Sequence, residues 1–340
     1  MSDALVYHAD DADWKAEGMQ KVIVGLGELL WDLLPTGERL GGAPANFTVM
    51  AARLGNRGVI ASRLGSDTLG ARARAVLATF PPDISLLQTD DIHPTGTVGV
   101  EIRQGEPHYI IHEPAAWDFL EWTPEWRALA ATADAVCFGT LAQRNARSRA
   151  TIREFLAATR PDSVRVFDVN LRPPFFSAKV IAASLALATI FKLNEAEVPQ
   201  VLAMLGATES FPAAETGLIE SARWLLGKYP LRLVAITMGA DGSLLVTPDA
   251  FHRRKRIVRN PKGAAHKIGT VQMADPVGAG DAFTAALVTY YLNGASLAEM
   301  NEAGNRWGGW VASQPGAMPY LDAATLARIT KQIRASRNSG

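Results

Sequence analysis

Short apolar runs alternate along the chain with stretches whose apolar positions recur every three to four residues. The short runs lie at residues 21–27, 58–63, 135–138, 164–169, 189–193, 233–237 and 244–247. Several lack the two-residue alternation of a sheet with one wet face, so they read as strands buried on both faces. Between them, APANFTVMAARLG places Phe47, Met50, Ala51 and Leu54 on one helical stripe, with Pro44 near its start and Gly55 just past its end. That punctuation is the one a helix needs. Similar spacing predicts helices near 69–79, 148–159, 179–188, 195–205, 216–228 and 297–312. Such alternation predicts an α/β fold, a mostly parallel sheet with helices on both faces.

One segment breaks the rhythm. Residues 95–113 alternate at Val98, Val100 and Ile102, pass a Gln-Gly-Glu-Pro turn and resume an extended run at 108–112. This pattern predicts a hairpin. With residues 31–42 it predicts a small separate sheet, placed as a lid over a cleft. The expected organisation is a polar extension over 1–19 and one domain over 20–335, with the lid built from about 31–42 and 95–113.

Composition narrows the function classes. The 34 basic and 34 acidic residues cancel, which gives no case for nucleic acid as the main partner. No apolar run reaches the roughly 18–20 residues that span a bilayer. The polar, acidic start is unlike a signal peptide, and the lone Cys137 lies in an apolar run as a buried structural thiol. The expectation is a cytoplasmic chain with no membrane partner. The basic run at 252–259, HRRKRIVR, reads as a solvated strand or loop face.

Candidate chemistry concentrates in DPVGAGDAF, residues 275–283. After it, Phe283, Ala286, Leu287 and Tyr290 follow helical spacing to Asn293 and Gly294. The loop therefore sits at a helix N-terminus, where unpaired backbone N–H groups and the macrodipole favour an anion. Asp281 beside it could take a proton from a hydroxyl while those N–H groups stabilise a transferring phosphoryl group. An ordinary loop with Asp281 capping the helix accounts for the same residues. The chain has no Gly-x-x-x-x-Gly-Lys-Ser/Thr loop, and GLGELL after the first strand carries two of the three glycines of a dinucleotide fingerprint.

These residues carry a resemblance. The sequence resembles the ribokinase-like (PfkB) carbohydrate kinases, most closely their fructokinase-type members. Two signatures bear it: GGAPANFTVMAARLGNRGVIASRLGSDTLG at 41–70 and DPVGAGDAFTAAL at 275–287. GELLWDLLP, FDVNLR, KLNEAEV, ITMGADGSLL and a late ASQPGAMP follow in family order from about residue 21 to 320. The resemblance implies a doubly wound sheet with a β lid. It also implies ATP-dependent phosphorylation of a sugar hydroxymethyl group, a ketohexose such as fructose being favoured by GGAPAN. A nucleoside, sugar acid or sugar phosphate is the alternative acceptor; a catalytically silent sugar-binding regulator is the alternative outside catalysis.

The resemblance also implies roles. Asp281 matches the base, and Gly278, Ala279 and Gly280 match the anion hole. Asp32 matches an acid that holds sugar hydroxyls, or is a surface acid of the lid strand. Gly41 and Gly42 match backbone close to the sugar, and Asn46 a first-turn donor and acceptor. Asn194 and Glu197, spaced i and i+3, match an Asn-x-x-Glu pair associated with Mg²⁺ and phosphate, often through water; a plain helix cap has the same spacing. Asp168, Asn170 and Arg172 lie at a strand end, where open α/β sheets bind ligands; Arg172 meets phosphate or substrate, or makes a structural ion pair. Thr237 and Gly239 match a nucleotide-side turn, Gly242 supplies its geometry, and Asn305 aligns with the adenine pocket. A monovalent cation such as K⁺ would use Asp275 with main-chain carbonyls of Val277, Val311, Gln314 and Gly316. Glu113, Trp117 and Asp118 lie where they could reach the sugar, Trp117 also fitting a packing role. A lid-to-lid homodimer is the family's common assembly.

Overall fold

The apolar runs become strands because each is too short and too β-branched for a helix and is flanked by turn residues. A computed structural model describes residues 20–34, 37–103, 106–209, 211–212, 214–254 and 277–336. The chain enters through β1 (Val22–Leu26), turns into β2 (Leu30–Leu34) and β3 (Gly37–Gly41), and starts α1 (Ala43–Arg53). β4 (Arg57–Ala61), β5 (Arg63–Gly65), α2 (Thr68–Leu77) and β6 (Gln88–Asp90) follow, then β7 (Gly96–Arg103) and β8 (Glu106–Ile111). Next come α3 (Pro124–Thr132), β9 (Ala135–Phe138), α4 (Ala146–Ala157), β10 (Val164–Asp168), α5 (Ala178–Leu185), β11 (Ile190–Asn194), α6 (Glu197–Met204) and α7 (Glu215–Lys228). β12 (Leu233–Thr237), β13 (Ser243–Val246) and β14 (Phe251–Arg254) complete the strands, and α8 (Ala279–Leu292), α9 (Leu297–Ala312) and α10 (Ala323–Ser336) the helices.

Eight strands form the central sheet in the order β14-β13-β12-β11-β10-β9-β1-β4. β4 through β12 in that order run parallel, and β13 and β14 are antiparallel additions at one edge. The faces bury different side chains. On one, Phe138, Phe167 and Phe191 stack across three neighbouring strands at 5.2 and 5.5 Å between ring centroids, under helices that include α4 to α7. On the other, Ile23, Val166 and Ile190 pack beneath α1, α8 and α9. Burying each such side chain is worth about 1.5–3 kcal/mol, which is why these strands lack polar alternation.

The predicted hairpin and the 31–42 segment do form a separate four-stranded sheet, ordered β3-β2-β7-β8. β2 pairs antiparallel with β3 and parallel with β7. A third core cluster, including Leu29, Trp31, Val49 and Ile60, ties this sheet to the body. Residues 1–19 and most of the basic run, from 255 onward, lie outside the described residues; its first residues form β14. Cys137 is buried and free, as its apolar context predicts. Among the described residues no helix is long and apolar enough to cross a membrane.

Two helices escape the periodicity reading. α3 is mostly small residues around Trp126 and Leu129, so its stripe is faint. α10 carries Ile329 and Ile333 at i, i+4, a signal that was there to be counted. The strand read at 58–63 ends at Ala61, and Arg63–Gly65 pairs with β6 in a two-stranded sheet instead.

Candidate active site

The site lies at the C-terminal edge of the parallel strands, where an open α/β sheet leaves its crevice. α8 starts above that edge. Gly278 caps it with φ 81°, and a Cβ there would lie 2.7 Å from the Ala317 Cα, so glycine alone fits. Among the described residues no side chain caps the helix, a start whose first N–H groups suit an anionic ligand. A Cβ on Gly280 would lie 3.0 Å from the Lys192 Nζ. The candidate anion-binding loop thus has an ammonium group beside it.

Asp281 occupies the first turn of α8, and its Oδ2 accepts from Asn46 Nδ2 at 2.8 Å. Asn46 is buried in the first half of α1, and its Oδ1 has no partner. Burial pushes the Asp281 carboxyl up to about 6; the Asp168 carboxylate adds to this, while Asn46, Lys192 and Arg172 oppose it. Asp168 and Lys192 lie opposite each other in the β10–β11 register and pair at 3.1 Å, both buried. Burial works to lower the Lys192 pKa, but the Asp168, Asp281 and Glu197 carboxylates win, and it is raised. Thr284 Oγ1 donates to Asp168 at 3.2 Å. Glu28, buried after β1, is pushed up to about 7, mainly by burial and further by Asp281.

On the lid side, Gly42 caps α1 with φ 116°, and a Cβ there would lie 2.4 Å from the Glu28 carbonyl oxygen. The two glycines let this turn pack close to the body. A Cβ on Gly41 would lie 3.1 Å from Asp32 Oδ2, so the acid and the glycine pair adjoin. Arg172 is exposed at the strand end, yet near enough to lower the Asp281 and Glu28 pKa values. Asn170 beside it adopts φ 39° and lines the same cavity as Asp281. Trp117 is fully buried packing, and Asp118 is held by Arg144 at 2.7 Å. Glu113 is exposed.

On the opposite side, Asn194 and Glu197 cap α6 reciprocally. Asn194 Oδ1 accepts the Glu197 N–H at 3.0 Å, and Glu197 Oε2 accepts the Asn194 N–H at 2.8 Å. Glu197 Oε1 accepts from Leu171 N–H, also at 2.8 Å. Thr237 neighbours Asn194 in register, and Gly239 and Gly242 turn the chain with φ 50° and 90°. Asn305 is turned inward: its amide donates to Ser243 Oγ at 2.6 Å and to Asn301 Oδ1 at 2.9 Å. It thus braces the strand that leaves the Gly242 turn. Val311, Gln314 and Gly316 end α9 and its following loop, next to Ala317, against which Gly278 packs. Val277 and Gly316 each adjoin this contact in sequence, the Val311 carbonyl accepts the Gln314 N–H at 2.9 Å, and Asp275 lies outside the described residues.

Among the described residues no group of three or more His, Cys, Asp or Glu gathers as a metal cage. Both Glu197 oxygens already accept backbone N–H groups, whereas Asn194 is exposed. This donor set fits a metal reached through water and phosphate oxygens, the mode Mg²⁺ favours.

A sequence model described as pfkB family carbohydrate kinase matches residues 35–324. The chain belongs to this family. The kinase is 31% identical to a fructokinase of Escherichia coli over 280 residues, covering 78% of this chain and 82% of that protein. A crystal structure of fructokinase from Vibrio cholerae, in its fructose, ADP and calcium ion bound form, superposes with a TM-score of 0.71 at 25% identity, covering 91% of this chain and 98% of that one. Aminoimidazole riboside kinase from Salmonella enterica, complexed with aminoimidazole riboside and an ATP analog, shares the fold at a TM-score of 0.70 and 23% identity, covering 92% of this chain and 100% of that one. It is an ATP-dependent carbohydrate kinase with the ribokinase-like architecture.

Two residues of this kinase's site carry weight that pattern reading missed. Lys192 opens KLNEAEV, between the buried Phe191 and Leu193. A lysine inside an apolar strand is a buried-charge signal in its own right. Glu28 is the second residue of GELLWD, just past β1, and nothing in its local pattern marks it as buried.

Proposed function

We propose that this kinase phosphorylates the hydroxymethyl group of a neutral ketohexose such as fructose, with Asp281 as the base. The observation that carries this reading is the Asn46–Asp281 hydrogen bond. It joins the helix that follows the Gly41–Gly42 turn to the helix that starts with the anion loop. A sugar resting on that turn, with Asp32 accepting two of its hydroxyls, has a hydroxymethyl group within reach of Asp281.

Asp281 then withdraws the hydroxyl proton as the oxygen attacks the γ-phosphorus of ATP. The free N–H groups of Gly278–Gly280 and the Lys192 ammonium stabilise charge on the transferring group, so the work is positioning and electrostatics. A divalent metal, Mg²⁺ in first place, would neutralise phosphate charge when bound, held through water by Asn194 and Glu197. A K⁺ ion at the Val277, Val311, Gln314 and Gly316 carbonyls would add to the field behind the loop. Thr237, Gly239, Gly242 and Asn305 frame the nucleotide side. Closure of the small sheet over the sugar excludes water and suppresses ATP hydrolysis.

Charge favours a neutral acceptor. Glu28, Asp168 and Asp281 line one cavity, and a sugar acid would bring a further negative charge against them. The relative that takes an aminoimidazole riboside shows that this fold also serves nucleoside-like acceptors, so the acceptor is the point to test. ADP release would be measured over a panel of fructose, other neutral sugars, nucleosides, sugar acids and sugar phosphates. Fructose or a close ketohexose should give the highest kcat/KM. Preference for a nucleoside or an acid would overturn the acceptor, and no ADP release with any of them would overturn the reading itself.

A further inference from the structure

Behind the base lies a second carboxyl that the mechanism above leaves unused. Glu28 is 4% exposed, and its Oε2 has no hydrogen-bond partner among the described residues. The carboxyl lines a narrow cavity of about 10 Å³ together with Asp281, Asp168, Asn170 and Thr284. That volume admits one water, and the lining offers the two to four polar partners that a buried water needs.

Charged or titratable groups reach the surroundings of Glu28 from every neighbouring element except α1, which adds only Ala43, Pro44 and Phe47. Asp281 comes from α8, Asp168 from β10, Lys192 from β11, Arg172 from the segment after β10, and the Cys137 thiol from β9. Lys192 and Thr284 engage Asp168. Arg172 is exposed and favours the charged forms of both remaining carboxyls. The Asp281 carboxylate disfavours ionisation of Glu28, so an ionised Glu28 beside it takes up a proton readily.

We propose that Glu28 stores the proton that Asp281 withdraws from the acceptor hydroxyl, receiving it through one water in the shared cavity. The idea rests on the kinase reading. The acceptor O–H bond breaks as its oxygen bonds to the γ-phosphorus of ATP. The bond from that phosphorus to the ADP oxygen breaks, and its electron pair leaves with ADP. The proton passes from Asp281 through the water to Glu28 Oε2, and reaches solvent when products depart. Burial pushes the Glu28 carboxyl up, and the Asp281 carboxylate pushes it further, so an ionised Glu28 is a ready acceptor and the transfer returns Asp281 to its ionised form. Glu28 acts through Asp281 and is a positioning residue for the proton.

The test compares Glu28→Gln and Glu28→Asp with the wild type in kcat, sugar KM and the pH profile of kcat, using the best acceptor from the panel. Glu28→Gln should lower kcat about tenfold while sugar KM stays within about twofold. Its acid limb should move to lower pH, because Glu28 no longer has to be ionised to receive the proton and only Asp281 must lose its own. Glu28→Asp should recover most of kcat. An unchanged kcat and acid limb, or a raised KM at unchanged kcat, overturns the proposal. An infrared titration of the wild-type protein needs no variant to fold. It should show two buried carboxyls losing their protons between about pH 5 and 8, and fewer than two overturns the proposal. The titration is independent of turnover, so a wild type that phosphorylates nothing marks failure of the kinase reading instead.

Discussion

Two helices begin with an acid at the same edge of the sheet, and they use it in opposite ways. At α6, both Glu197 oxygens accept backbone N–H groups and Asn194 returns the bond, a closed cap. At α8, no side chain among the described residues caps the helix, and Asp281 is held by Asn46 beside a cavity lined by other carboxyls. The closed cap fixes where a strand ends and a helix starts. The open start keeps N–H donors and a proton-hungry carboxylate in reserve for a ligand. An acid in the first turn of a helix is thus framework or chemistry according to how many of its hydrogen bonds the protein has already made.

The largest effect should come from exchanging charge for amide at the open start. Asp281→Asn keeps the shape and an acceptor for Asn46, but cannot take a proton. Turnover should fall by about 10³-fold or more, with ATP binding still measurable by calorimetry. The matching change at the closed start, Glu197→Gln, should cost less than about tenfold in kcat. Equal losses at the two positions would erase the distinction between them, and near-normal turnover in Asp281→Asn would remove its role as base.

Next in size is the buried pair beneath the open start. Lys192→Met leaves the Asp168 carboxylate buried without its cation, a loss of about 3–5 kcal/mol. It also removes the ammonium beneath Gly280, so kcat should drop by about 10²-fold. Adding Asp168→Asn should restore much of the stability, because no uncompensated charge remains, yet leave turnover low. Urea melts and steady-state rates on the single and double variants separate the two effects. Recovery of turnover along with stability would show that Lys192 serves the fold alone.

Much of this was legible in the linear pattern. The strand positions came from runs that lack alternation, and the small sheet from the one hairpin that keeps it. The residues of the open start stand together in nine positions of sequence, 275–283, because a loop that cradles an anion is built from consecutive backbone. The rest of the site is assembled across the chain. Asn46 meets Asp281 over 235 residues. Asp168 meets Lys192 only because β10 and β11 pair in one particular register. Glu28 gains its role from elements packed around it, none of them near in sequence. Pattern reading finds local cradles and periodic faces, and it misses charges whose partners are chosen by register. It also left Asn194 and Glu197 open between cap and metal site, since an i, i+3 pair at a helix start serves either; the hydrogen bonds show the cap.

The smallest effect sharpens the contrast through stability and its sign. The Asp281 carboxyl is raised from 3.8 to about 6, so the folded protein binds this proton more tightly than the unfolded chain. Its contribution to stability is therefore fully present below pH 3.8 and is lost as pH rises through 6. At pH 8 the ionised group is a burden on the fold, on the order of 3 kcal/mol. Asp281→Asn should accordingly melt higher than wild type near pH 8, and the advantage should shrink toward zero as pH approaches about 4. Glu197→Gln should melt lower at pH 8, by about 1–3 kcal/mol, because an amide NH₂ must face a backbone donor that the carboxylate satisfied. Melting curves of the three proteins across this pH range read both signs at once. An inactive variant more stable than its parent, beside an active one that is less stable, is what an unsatisfied base and a satisfied cap must produce; two losses of the same sign would mean that Asp281 is framework too.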